Sequence, residues 1–197
     1  MPQVLLNDHL EAIDLASTLA QLPAWRLRQA LAFRHEHLQL QNAVAYLLLC
    51  KALREGYGIE EQPAFDYGQK GKPFLKDHPD VHFNLSHCSE AVICVTDDGP
   101  IGVDIESVKA FDEEVARYAM NADELQQILQ APRPDVAFTR LWTRKEAVLK
   151  CSGQGLIDQA GLRNLLRSNS HRLVTVESPD LRYVYSVCSN VQLTINN

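Results

Sequence analysis

The 197-residue sequence predicts a mixed α+β fold on three observations. Apolar residues recur at three- and four-residue spacing, the signature of amphipathic helices, over roughly 25–33, 37–54 and 136–151. Short runs that alternate apolar and polar residues, the signature of strands, lie between and after them. Both kinds of segment occur on each side of residue 98, so each half holds helices and strands, although no internal repeat is visible.

The elements follow in order. The second helical pattern stops at Gly56 and Gly58, residues that accept the left-handed turn closing a helix. Strands are expected at 65–67, 81–85 and 91–96, making a small sheet, and Asp97-Asp98-Gly99-Pro100 reads as a turn. A strand at 101–106 opens the second half, with helices at 111–120, 122–130 and 136–151 and strands at 172–177, 182–188 and 191–195. Ala131-Pro132-Arg133-Pro134 breaks the chain within this half and is not a domain linker.

Composition narrows the function class. A formal charge of -6 and the lack of a basic patch interleaved with aromatics argue against nucleic-acid binding. The first twenty residues carry Asp8, Glu11 and Asp14 and show no signal peptide. The longest apolar run, 43–50, is too short to cross a bilayer. Five cysteines, odd in number and without a Cys-x-x-Cys pair, indicate a reducing compartment, so the cytoplasm is expected. Cys50, Cys94 and Cys188 read as buried thiols, while Cys88 and Cys151 flank the segments that carry chemistry and are candidates for reactivity.

Three segments carry that chemistry. Within Trp142-Thr143-Arg144-Lys145-Glu146-Ala147-Val148-Leu149-Lys150, helical geometry puts Trp142, Glu146 and Lys150 on one face. Alone, such a Glu-to-Lys pair is more often a solvated helix pair. In Ile101-Gly102-Val103-Asp104-Ile105-Glu106 the period of two makes a half-buried strand with both carboxylates on one side. Such a pair fits an edge strand that discourages pairing, or a metal. Adding Glu146 gives three carboxylates, a donor set suited to a hard divalent ion. The third segment joins Gly71-Lys72-Pro73-Phe74 to Val81-His82-Phe83-Asn84-Leu85-Ser86-His87. Ser86 and His87 project to opposite faces, so they read as ligand contacts and not as nucleophile and base.

In order and spacing, Gly71-Lys72-Pro73, Phe83 to His87, Gly102 to Glu106 and Trp142 to Lys150 with Gly153-x-Gly155-Leu156 resemble the 4'-phosphopantetheinyl transferases that carry two homologous halves in one chain. The resemblance covers about 65–156. It implies two similar α/β halves, 1–98 and 99–197, related by a pseudo-twofold axis, each a small sheet packed on helices, with the active site in the cleft between them. It further implies transfer of the phosphopantetheine arm of coenzyme A to a serine of an apo acyl or peptidyl carrier protein, with release of 3',5'-ADP. Asp104, Glu106 and Glu146 match the metal acids, with magnesium expected and manganese an alternative. Glu146 is also the candidate base for the serine proton, directly or through a metal-bound water. Lys150 matches the catalytic lysine that reaches the coenzyme A phosphates, with Lys145 assisting. Lys72, Pro73, Ser86, His87 and Asp104 match positions that hold the cofactor. Trp142 reads as a packing anchor that aims Glu146.

The amino-terminal third departs from the family pattern, with Gln39 and Gln41 where arginines are common. Either Arg28 and Arg34, helped by His35 and His37, hold the 3'-phosphate, or it is held more weakly. Phe111, Tyr118 or Met120 would contact the carrier unless they belong to the core. A monomer that touches neither membrane nor nucleic acid is expected. The alternatives are a non-catalytic module that binds coenzyme A or a carrier, and a metal-dependent phosphodiesterase.

Overall fold

The structure, a computed structural model, describes residues 2–155, 157–167 and 172–189. Leu156 and the strand expected at 191–195 lie outside the described residues. The chain opens with strand β1 (Gln3–Asn7) and helices α1 (Leu15–Leu19), α2 (Ala24–Leu31) and α3 (Glu36–Tyr57). Strands β2 (Phe65–Tyr67), β3 (Pro73–Leu75), β4 (His82–His87), β5 (Val92–Asp97) and β6 (Ile101–Ser107) follow. Helices α4 (Glu113–Ala119), α5 (Ala122–Gln130), α6 (Pro134–Ser152) and α7 (Gln159–Asn164) precede strands β7 (Arg172–Glu177) and β8 (Tyr183–Ser189).

The expected α+β class is observed, as two three-stranded antiparallel sheets, β1-β5-β4 and β6-β8-β7, and the short ladder β2-β3. Each larger sheet carries one long helix. Helix α3 lays Leu49, Ala52 and Leu53 on Phe83 and Cys94 of the first sheet. Fully burying a leucine contributes about 2–3 kcal/mol, so this contact is a main source of stability in the first half. Helix α6 lays Ala147, Val148 and Cys151 on Cys188 of the second. Its closeness depends on Gly102, where an added Cβ would lie 2.2 Å from the Cys151 nitrogen and 2.3 Å from the Ala147 oxygen. Only a residue without a side chain lets the helix backbone settle on β6.

One core runs through both sheets, with Ile93 and Val95 packed against Ile101, Val103, Ile105 and Val187. Strands β4 and β6 lie side by side at facing sheet edges, and side chains connect them. Asn84 Oδ1 accepts the Val103 N–H at 2.9 Å and Ser86 Oγ accepts that of Ile105 at 3.4 Å. Edge donors that would otherwise be unsatisfied are thereby paired.

Strand β6 differs from the half-buried strand expected of it. Ile101, Val103 and Ile105 face the other sheet, and α6 covers the acidic face, so Asp104 is only 4% exposed. The alternation was correct, but a polar face need not face water when a helix with its own polar groups lies on it.

Candidate active site

Helix α6 begins at Pro134, whose missing N–H costs nothing in a first turn, and ends at Gly153 in the left-handed conformation (φ 66°). Glu146, Leu149 and Lys150 on this helix line a cleft of about 310 Å³ with Lys70 and Lys72 of the β2–β3 connection, Pro73 of β3, Asn84 of β4, and Gly153 and Gly155. Elements from both sides of the chain therefore meet at one opening.

Asp104 lies beneath Lys150. The ammonium donates to Asp104 Oδ1 at 2.6 Å and to Ser86 Oγ at 3.0 Å, and Ser86 Oγ also lies 3.2 Å from Asp104 Oδ1. Asp104 Oδ2 is buried with no hydrogen-bond partner among the described residues. Burial and the nearby Asp104 charge raise the proton affinity of Glu146, and Lys150 opposes the shift. The same two causes raise Glu106, with Lys109, Lys150 and the Trp142 indole opposing. The Asp104 charge thus acts on both glutamates, and among the described residues Asp104 is the one of the three in an ion pair.

The predicted residues divide into those gathered at the cleft and those placed elsewhere. Glu146, Lys150, Lys72 and Pro73 line it, and Asp104 and Ser86 bond Lys150. Lys72 reaches the cleft by its stem, but its Nζ donates to Ile101 O at 2.8 Å and Cys151 O at 3.1 Å. It ties the β2–β3 connection to β6 and to the carboxyl end of α6, where unpaired carbonyls favour a cation. His87 ends β4 exposed, and partial burial with the Lys150 charge lowers its proton affinity.

Lys145 is a correction. Five residues from Lys150, it points round the helix away from the cleft and is 0% exposed. Its Nζ donates to Leu162 O at 2.7 Å and pairs with Glu124 Oε2 at 2.8 Å. It fastens α5 and α7 to α6 and is buried away from the cleft lining. Arg28 and Arg34 are exposed and outside the cleft lining. Arg26, passed over in the sequence, lies against the Tyr46 ring at 5.3 Å, donates to Asn42 O and lines a smaller hollow that adjoins the cleft at Pro73. Cys88 is buried and its thiol is pushed up to about 11 by that burial, which removes it as a reactive group.

Asn84 and Lys70 were not singled out in the sequence. The signal for Asn84 was available, because His82, Asn84 and Ser86 form the polar face of β4. Lys70 gave none, since its place depends on loop packing against Gly155, whose added Cβ would lie 3.3 Å from Lys70. Trp142 stacks on Phe138 in a cluster with Phe111 and Met120, which supports the packing role.

Residues 100–191 match the model of the 4'-phosphopantetheinyl transferase superfamily. A 4'-phosphopantetheinyl transferase of Bacillus subtilis is 30% identical over 90% of this chain and 80% of its own. The chain belongs to the 4'-phosphopantetheinyl transferase family. Psf-1 of Bacillus pumilus, also a 4'-phosphopantetheinyl transferase, is 34% identical over 76% of this chain and 67% of its own. HetI of a Nostoc strain, with the same description, is 32% identical over 73% and 63%. The matched family region contains β6 and α6, hence Asp104, Glu106, Glu146 and Lys150. Among the described residues, no helix is long and apolar enough to cross a membrane.

Proposed function

We propose that this protein transfers the 4'-phosphopantetheine arm of coenzyme A to a serine hydroxyl of an apo acyl or peptidyl carrier protein and releases 3',5'-ADP. The observation that carries this reading is the meeting of Glu146 and Lys150 with Asp104 at one cleft in a chain of this family. We place the cofactor cleft between the halves 1–98 and 99–197.

The reaction joins the serine oxygen to phosphorus and breaks the bond from phosphorus to the diphosphate bridging oxygen. The serine proton must leave, and Glu146 is the base assigned to it. Burial makes this carboxylate more basic than an exposed one, which favours proton acceptance near neutral pH. Lys150 provides a mobile positive charge for the diphosphate. Ser86 and His87 hold the cofactor from β4, and Pro73 walls the cleft. For the 3'-phosphate, Arg26 beside the cleft is better placed than Arg28 or Arg34.

Among the described residues no three ligating groups stand in metal-holding geometry, so Asp104, Glu106 and Glu146 are neighbours and not a formed cage. Their chemistry nevertheless fits a divalent ion, because Asp104 Oδ2 is buried without a partner among the described residues and all three donors are hard oxygens. Magnesium, or manganese, held by these three carboxylates would supply charge neutralisation at the diphosphate.

For the carrier, Val115 and Tyr118 on α4 are 46% and 58% exposed and offer apolar anchors. Met120 is buried and Phe111 is half-buried against Phe138, so Val115 and Tyr118 are the better anchors. The test is the intact mass of a panel of apo carriers incubated with the protein, coenzyme A and magnesium. A gain of one phosphopantetheine arm is expected. Coenzyme A binding with no modification of any carrier would favour the non-catalytic binding module.

A further inference from the structure

The two lysines of α6 differ in freedom. Lys145 is 0% exposed and held by Glu124 and two carbonyl oxygens. The Lys150 side chain is 30% exposed, and its ammonium touches one carboxylate oxygen and one hydroxyl. Its place is also notable. Asp104 is the most deeply set of the three carboxylates, and a carboxylate withdrawn from water needs a counter-charge. Lys150 supplies that charge on Oδ1, while Oδ2 has no hydrogen-bond partner among the described residues. A single ammonium cannot neutralise three neighbouring carboxylates, and a divalent ion would do so more fully.

We propose that Lys150 occupies the cation position in the metal-free protein, and that an arriving divalent ion displaces its ammonium from Asp104 and frees it for the phosphates of the substrate. The exchange rests on the transferase reading, because it assumes that Asp104, Glu106 and Glu146 take an ion. No covalent bond changes: the Asp104–Lys150 ion pair is replaced by an Asp104–metal contact, and the ammonium keeps its proton. The coupling is reciprocal. An ion on Asp104 makes Lys150 available to a diphosphate, and a diphosphate that draws Lys150 away opens Asp104 to the ion. The long, flexible stem of lysine suits a charge that must occupy two places.

The first test uses the unmodified protein without coenzyme A or carrier. Lysine-selective acylation followed by peptide mass analysis reads the availability of each amine. Adding manganese should raise the labelling rate of Lys150 severalfold and leave Lys145 protected. The second test titrates manganese by electron paramagnetic resonance into wild type, Lys150→Gln and Lys109→Gln. Lys150→Gln should tighten manganese binding by roughly three- to tenfold, as expected when a competing partly buried ion pair is removed. Lys109→Gln, which removes a charge felt by Glu106 without touching Asp104, should change it by less than about twofold. Unchanged or slower labelling of Lys150 with bound manganese, or manganese binding no tighter in Lys150→Gln than in wild type, overturns the exchange. Both readouts are independent of carrier modification, so failure to modify a carrier would count against the transferase reading and not against the exchange.

Discussion

Helices α3 and α6 each lie on a three-stranded sheet, yet they meet those sheets by different chemistry. Helix α3 packs through Leu49, Ala52 and Leu53 on apolar strand residues. Helix α6 combines Ala147 and Val148 with a polar set, Thr143 to Ser186 at 2.9 Å and Lys150 to Asp104. An apolar interface supplies stability and specifies little else. A polar one costs desolvation, and where its groups are not all satisfied, as at Asp104, it leaves charge available for chemistry.

Substitutions that test this contrast can be ordered by size. Gly102→Ala should have the largest effect, about 4 kcal/mol of stability, because both atoms facing the new methyl belong to backbone and cannot rotate aside. Chemical denaturation would show the loss, and coenzyme A binding should fall with it. Lys145→Met should cost about 3 kcal/mol by leaving Glu124 buried without its cation, while coenzyme A affinity stays near wild type. Leu49→Ala in α3 should cost a comparable 2–3 kcal/mol by opening a cavity, again without weakening coenzyme A binding in the folded protein.

The smallest effect concerns pH. Burial lowers the proton affinity of Lys72, so the folded state binds that proton less tightly than the unfolded state. Stability must then rise with pH across the interval from the folded-state value up to 10.5, and be unaffected by this group's titration below that interval. The slope cannot exceed about 1.4 kcal/mol per pH unit for one proton. Denaturation from pH 8 upward should show that contribution in wild type and its absence in Lys72→Met.

Much of this was legible in the sequence. Helix α3, observed at Glu36–Tyr57, and α6, observed at Pro134–Ser152, were readable from their apolar spacing. The acidic face of β6 was readable from its period of two, and Glu146 with Lys150 from their one-turn separation. What could not be read depended on distant partners. Strand β1 pairs with β5, some ninety positions away, and has little periodicity of its own. Helices α1 and α7, five and six residues long, give too short a pattern to detect. Lys145 was misplaced because adjacency to Glu146 in sequence means a rotation of about 100° on a helix. The direction of the Lys72 ammonium depends on where α6 ends in space, which spacing along the chain does not reveal.

The most direct measurement compares Glu146→Gln with Lys145→Met, neighbours on one helix, in single-turnover transfer to an apo carrier at equal folded concentration. Glu146→Gln should slow transfer by roughly 100-fold or more, the scale of a lost general base, while still binding coenzyme A. Lys145→Met should transfer at close to the wild-type rate. Equal loss in both, or loss only in Lys145→Met, would contradict the assignment of the chemistry to the Glu146 face of α6.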